Sequence, residues 1–414
     1  MRGSFLVTAA GASLMFLAAC GGDNSSGSTA TTPVSTPVNN VQTIVVDSGP
    51  TVNGNPVGYN DALYTTVTIC VPGTATCQSI DHVLVDTGSS GLRLLGSLVT
   101  LSLPYATDSS KNLLGNCVQY ADSTYQWGAV TNADIKMAGE LASSVPIQIV
   151  GAANFPAVPT ACSAGGMAAQ TATDLSANGI LGVGLFRQDC GSGCTSTSSP
   201  PAVYFSCPTA GCTPTAVSLT AQLQNPVWMF QTDNNGLSIL LPRIPATGSL
   251  SVSGQMIFGI STQSNNSIGT AMAQGADDFG NFTTTFNGVA YSSSFIDSGS
   301  NGYFFLDTAT TGLPDCATST VGAGFYCPTS PVNLTAINTG PNPNGSKVSV
   351  AANIAFSVAN AATLINSPDT AFNNLGGDNP GMFDWGLPFF FGRTVFIGIE
   401  SQSSGTAVGP FWAY

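Results

Sequence analysis

From Val41 onward, short apolar runs alternate with clusters of turn-forming residues. Tyr64-Thr65-Thr66-Val67-Thr68-Ile69 puts apolar and hydroxyl side chains on opposite faces, the two-residue period of a half-buried strand. Pro72-Gly73 then marks a turn. In the next apolar run His82, Leu84 and Asp86 fall on one face by the same alternation. Long amphipathic helices need charged faces and strong helix formers, and only 7% of residues are charged. Gly, Ser, Thr and Asn are abundant instead, so the pattern predicts an all-β protein with a few short helices.

Two of the apolar runs end alike. Val83-Leu84-Val85 leads into Asp86-Thr87-Gly88-Ser89, and Phe295-Ile296 leads into Asp297-Ser298-Gly299-Ser300, 211 residues on from Asp86. A match to Asp, hydroxyl, Gly, hydroxyl is expected about 0.1 times in a chain of this composition, so two behind apolar strands carry weight. Two such loops facing each other would bring two carboxylates together, and a carboxylate pair sharing one proton can activate water. Asp47-Ser48-Gly49 begins the same way, but Pro50 supplies no hydroxyl; Asp307-Thr308-Ala309 lacks the glycine. Both are set aside. An internal repeat follows each loop. Ile180-Leu181-Gly182 comes after the first, Trp385-Gly386-Leu387 after the second.

A chain of 414 residues is long enough for two lobes. Its formal net charge is −13, with 8 Lys plus Arg, which excludes nucleic-acid binding for want of cations to neutralise phosphates. His82 is the only histidine. A Ser-His-Asp or Cys-His site would have to use it, and metal hydrolysis usually needs several imidazoles. A structural role in its strand is the expectation, with no metal and no cofactor. The glycosidase alternative also uses two carboxylates, but the two Glu residues, Glu140 and Glu400, sit in no recognisable motif.

The N-terminus reads as a bacterial export signal. Arg2 precedes an uncharged apolar stretch that ends in Leu17-Ala18-Ala19-Cys20-Gly21, which resembles a lipobox with Cys20 as the lipidated residue. The stretch is shorter than the roughly 20 residues that span a bilayer. Gly21 after the cysteine favours, by analogy, the outer membrane, on its periplasmic or surface face. Residues 1–19 are then signal peptide, and 20–40 the lipid attachment and a flexible tether rich in Gly, Ser, Thr and Pro. Setting Cys20 aside leaves 10 cysteines. Close spacing suggests Cys70 with Cys77, Cys190 with Cys194, Cys207 with Cys212, and Cys316 with Cys327, leaving Cys117 and Cys162 for each other. Disulfides fit an oxidising compartment better than the zinc reading that the Cys190/Cys194 and Cys207/Cys212 spacings also allow. The Cys-, Ser- and Pro-rich stretch from Asp189 to Pro214 is either a lobe boundary or a stapled surface loop. The lobe boundary is placed near residue 215, giving lobes of 41–214 and 215–414.

Beyond the tether, these residues resemble the pepsin family of aspartic proteases, and also a group of bacterial lipoproteins that carry pepsin-type motifs. The resemblance implies a bilobal β fold with one aspartate per lobe. Gln119-Tyr120, Gly128 and Asp134-Ile135 look like the family's flap hairpin, with Tyr120 as the flap tyrosine and Tyr125 and Trp127 as rivals. Ile180-Leu181-Gly182 resembles the apolar-apolar-Gly element that braces the first loop, and Gly386 to Ile397 its counterpart, with Asp384-Trp385 replacing the usual aliphatic pair. Arg93 stands where the family has a tryptophan, the flap is one residue longer, and residues 21–40 contain none of the basic residues of a pro-segment. Arg93 either reaches the aspartates and lowers their pKa values or points outward and pairs elsewhere.

The resemblance implies a lipid-anchored, monomeric endopeptidase that cleaves peptide or protein substrates with water activated between Asp86 and Asp297. Ser89 and Ser300 would hold the outer carboxylate oxygens, Gly88 and Gly299 would let main-chain N–H groups approach, and Thr87 and Ser298 would lock the loops together. The departures from the pattern favour the alternative, a non-catalytic envelope lipoprotein that binds peptide or glycan as an adhesin or scaffold.

Overall fold

The computed structural model describes residues 39–414. The export signal, the lipobox at Cys20 and most of the expected tether lie outside the described residues. The body begins sooner than composition suggests. Asn40 is fully buried and its amide donates to the Phe258 carbonyl (2.7 Å), so the tether stops short of it. One polar residue after a Gly/Ser/Thr-rich run gives no sequence signal of being an anchor.

The described residues form a sixteen-stranded sheet, a seven-stranded sheet and two short hairpins, with four α-helices of four or five residues and three short 3-10 helices. The protein is all-β, as the patterning predicts. The strand Val41–Val46 pairs on one side with Leu63–Cys70, through Ile44 opposite Thr65. On the other it pairs with Val252–Phe258, through Val41 opposite Ile257. Strands from before and after residue 215 thereby join one sheet. The seven-stranded sheet is built wholly from residues between Phe282 and Trp385. Its core is aromatic: Phe305, Phe383 and Trp385 stack, and Phe356 meets Trp385 edge-on. Aliphatic side chains such as Val67, Val83, Val85, Leu92 and Leu94 fill the first sheet's core.

All five expected cysteine pairs are disulfides: Cys70–Cys77, Cys117–Cys162, Cys190–Cys194, Cys207–Cys212 and Cys316–Cys327. The Cys-rich stretch returns to the first sheet, because Tyr204–Cys207 pairs with the strand Leu113–Gln119. It is a stapled excursion from that sheet.

His82 and Leu84 share the face of Tyr64, as the alternation expects: Tyr64 pairs with Leu84 and packs against His82, while Leu84 and Asp86 line one cleft. Thr65 pairs with Val83 but Val67 with Ile80, so one strand carries an extra residue there, and His82 has φ 46°. Such a bulge interrupts the ladder locally. His82 reaches Asp81 (2.9 Å) and Asp47 (3.4 Å) and packs edge-on against Tyr64. The hydrogen bond to Asp47 raises its pKa against the opposing effect of burial. The role is structural, and it also occupies the Asp47 loop set aside above.

Candidate functional site

Each aspartate loop is braced from behind by its own later strand. Gly179–Val183 runs parallel to Cys77–Asp86 with Gly182 opposite Asp86, and antiparallel to Ser90–Leu95 with Gly182 opposite Gly91. Asn379–Trp385 repeats this in the second sheet. It is parallel to Val289–Ile296, with Trp385 opposite Ile296, and antiparallel to Tyr303–Leu306, with Trp385 opposite Tyr303. The bracing bonds also match: Gly184 N–H donates to the Ser89 carbonyl and Leu387 N–H to the Ser300 carbonyl, both at 2.8 Å. A side chain at Gly182 would sit 2.7 Å from the Ser90 backbone, so the close approach demands glycine.

The loops interlock through their hydroxyls. Ser298 N–H donates to Thr87 Oγ1 (2.9 Å) and Thr87 N–H to Ser298 Oγ (3.2 Å). The hydroxyls then continue across, Thr87 Oγ1 to the Ile296 carbonyl (3.2 Å) and Ser298 Oγ to the Val85 carbonyl (2.7 Å). Both residues are buried, so these bonds are made where water cannot compete.

The interlock brings Asp86 and Asp297 together. Gly88 N–H lies 2.8 Å from Asp86 Oδ1 and 3.2 Å from Asp297 Oδ1, so one donor serves both carboxyls. Gly299 N–H donates to Asp297 Oδ1 (2.8 Å). A methyl group built on Gly88 would fall 2.8 Å from Asp297 Cγ, and one on Gly299 3.0 Å from Asp86 Cγ. The outer oxygens are held by Ser89, which donates to Asp86 Oδ2, and Ser300, which donates to Asp297 Oδ2 (3.0 Å). Desolvation, then the negative charges of Asp86 and Asp384 and the hydrogen bond to Asp86, hold the Asp297 carboxyl well above the usual range. Two adjacent carboxyls that cannot both ionise titrate as a unit with one shared proton.

The carboxyls open into a cleft of about 510 Å³ that Tyr59, Leu84, Tyr120 and Phe304 also line. Tyr120 sits at the turn of the hairpin made by Leu113–Gln119 and Thr124–Met137, and its hydroxyl donates to Gln126 Oε1 (3.0 Å). Its rivals are core residues. Tyr125 and Trp127 are buried beside the Cys117–Cys162 disulfide, with Trp127 Nε1 donating to the Pro156 carbonyl. A second hollow of about 200 Å³ shares the first loop and is walled by Gly88, Ser89, Phe186, Phe279 and Trp412.

Arg93 pairs elsewhere, as the second expectation has it, but turned inward and not outward. It is 2% exposed and pairs with Asp189 (3.2 Å), while its Nη1 donates to the Ser90 carbonyl (3.0 Å). Tyr204 (2.6 Å) and Asn116 (3.2 Å) also donate to Asp189. Burial raises the Asp189 pKa, and Arg93, Tyr204 and Asn116 oppose it. The pair props the strand behind the first loop. Sequence reasoning missed Asp189, which lies 96 residues from Arg93 with no motif around it. It also gave no role to Asp384, whose Oδ2 meets the same Ser300 hydroxyl (2.6 Å) that serves Asp297.

Fold and site together define an all-β, disulfide-bonded protein with two interlocked aspartate loops at the floor of a cleft. A family model described as "Protein of unknown function (DUF3443)" matches residues 36–414, so the chain belongs to that family. The comparison with curated proteins gives no match.

Proposed function

We propose that the chain is a pepsin-like, bilobal aspartic endopeptidase, with lobes dividing near residue 215, held at the bacterial outer membrane by a lipid on Cys20. The observation that carries the reading is the shared Gly88 N–H between Asp86 and Asp297, which puts two carboxyls in one hydrogen-bonded group at the floor of a cleft. Two features add support. The loops are built twice on one plan, each strand–Asp–hydroxyl–Gly–hydroxyl braced by a later strand with a glycine, Gly182 or Gly386, near its C-terminal end. Tyr120 lines the same cleft from a hairpin turn, in reach of a bound chain.

The chemistry follows from the single shared proton. The ionised carboxyl takes a proton from a water held between the two, and the hydroxide attacks the peptide carbonyl. The protonated carboxyl gives its proton to the carbonyl oxygen, leaving a neutral diol. Collapse returns one diol proton to a carboxylate, and the other carboxyl protonates the departing nitrogen as the C–N bond breaks. Gly88 and Gly299 N–H groups hold the inner oxygens in place throughout, so little reorganisation is needed.

The test is cleavage of a mixed peptide library by the full chain, made where disulfides form, from acid to neutral pH. The wild type should cut, while Asp86→Asn and Asp297→Asn should each lose at least about 10³-fold, because residues that act as a unit fail together. Cleavage that survives either change would reject the mechanism. A folded wild type that binds peptides and cuts none would favour the envelope-binding alternative.

A further inference from the structure

The two bracing strands are not chemically equal. Two residues before the bracing glycine, the first has Ile180 and the second Asp384, and both line the cleft. Asp384 sits between Phe383 and Trp385, whose rings point into the aromatic core, so alternation aims its carboxyl at the aspartate loops. It is 7% exposed. Its Oδ2 meets Ser300 Oγ at 2.6 Å, and its Oδ1 is buried with no hydrogen-bond partner.

Proton counting makes this informative. Ser300 Oγ lies within hydrogen-bond distance of Asp297 Oδ2 (3.0 Å) and Asp384 Oδ2 (2.6 Å), but a hydroxyl has one hydrogen to give. Two carboxylates cannot both accept it. One contact must run the other way, with a carboxylic acid donating to Ser300 Oγ. Asp384 is the better owner of that proton. A carboxylate there would leave a charged oxygen buried and unpaired, which is far costlier than a neutral carbonyl oxygen in the same place. At the first loop no such contest exists, since Ser89 meets Asp86 and the equivalent position is Ile180.

Resting on the endopeptidase reading, we propose that Asp384 is a third, proton-holding positioning residue of the site: as the neutral acid it donates to Ser300 Oγ, which fixes the Ser300 hydrogen on Asp297 Oδ2. The relay makes the two halves of the site unequal, and it lets the second loop gain negative charge when Asp384 ionises. The groups facing it are the Asp86 and Asp297 carboxyls; Asp122, Asp174 and Asp378 carry further negative charge across the cleft. Tyr59 and Tyr120 also titrate there, and no Lys, Arg or His lines that cleft among the described residues. Burial and the Asp86 charge, partly offset by the Ser300 hydrogen bond, push Asp384 to about 8. Its neutral form therefore prevails at acid and neutral pH and gives way as the pH rises through that value.

Two variants and one activity-independent measurement test this on the full chain. Asp384→Asn keeps a donor toward Ser300 but cannot ionise. It should retain cleavage within about tenfold at acid pH and lose one ionisation from the alkaline limb of the pH–rate profile. Asp384→Ile, the residue of the first half, removes the donor and should lower kcat at acid and neutral pH by about 10–100-fold with little change in KM. Infrared titration reads the proton directly. At pH 7 the wild type and Asp86→Asn should both show a protonated-carboxyl band that Asp384→Asn lacks. Absence of that band from the wild type, or an alkaline limb unchanged in Asp384→Asn, would overturn the proposal. A band that behaves as expected in a protein that cleaves nothing would leave the protonated Asp384 standing and reject the endopeptidase reading alone.

Discussion

At the residue scale, the site depends on how little separates the two loops. Gly88 has no side chain where a methyl group would lie 2.8 Å from Asp297 Cγ and 2.9 Å from its Oδ2. Gly88→Ala should therefore force the carboxyls apart while the buried Thr87–Ser298 interlock holds the fold. We expect at least about 10²-fold loss of kcat/KM, the scale of an ångström-sized misplacement of catalytic groups, with a near-wild-type circular dichroism spectrum. Activity close to wild type would show that the loops have slack that their contacts deny. The aspartates, serines and glycines of this site were legible in sequence because the carboxylate's needs are met locally. A main-chain N–H two residues on and a hydroxyl three residues on both fit in one tight loop. Asp384 was not legible as a member, since its meaning comes from Ser300, 84 residues away. The partner of Arg93 was not legible for the same reason, being set by strand packing and not by local spacing.

At the scale of elements, alternation predicted strands well and failed where a strand is irregular. The Asp81–His82 bulge is the example, because the extra residue between Ile80 and Val83 and the φ of 46° at His82 have no signal in the alternation. Disulfides were legible because four of the five pairs are local and the fifth was what remained. That fifth, Cys117–Cys162, ties the strand that leads into the Tyr120 turn to the short helix Thr160–Ser163, across 45 residues. The Cys70–Cys77 bridge spans only 7. Loop closure in the unfolded chain costs more entropy for the longer loop. Replacing Cys117 and Cys162 by Ser should destabilise the fold by about 2–4 kcal/mol, measured by denaturant unfolding, and by more than the same change at Cys70 and Cys77. Equal losses would mean that strain or residual structure, and not loop length, sets the contribution.

For the whole molecule, buried acids dominate the dependence on pH. Burial raises Asp61, Asp189, Asp297 and Asp384, the last to about 8, with partial offset from hydrogen bonds at each. A group whose folded pKa is raised binds its proton more tightly in the fold than in the unfolded chain. Its contribution is complete below the unfolded value near 4 and is lost as the pH climbs through the folded value. Asp47 and Asp108 run the other way: burial pushes them up, but hydrogen bonds, chiefly from His82 and Ser206, hold both below the usual range. Asp307 is lowered by its bond from Thr310. These three lie nearer the surface, where such shifts are screened. Net charge of −13 adds self-repulsion once the acids ionise. Thermal unfolding should therefore show Tm higher at pH 5 than at pH 8 by several degrees, and Asp384→Asn should flatten the difference. A Tm that rises with pH across that window would contradict the assignment of protons to these buried acids. The all-β class was readable from composition and period alone. The joining of strands from before and after residue 215 in one sheet was not, because strand partners such as Val41 and Ile257 share no local signal.

In the proposed mechanism, water activated between Asp86 and Asp297 cuts the peptide bond directly. Cleavage in water enriched in oxygen-18, followed by mass spectrometry of the products, reads that step. We expect one heavy oxygen in each newly formed carboxyl terminus, no enzyme-linked intermediate, and no product from Asp86→Asn or Asp297→Asn. Labelled product from either variant, or a peptide trapped covalently on the protein, would contradict it.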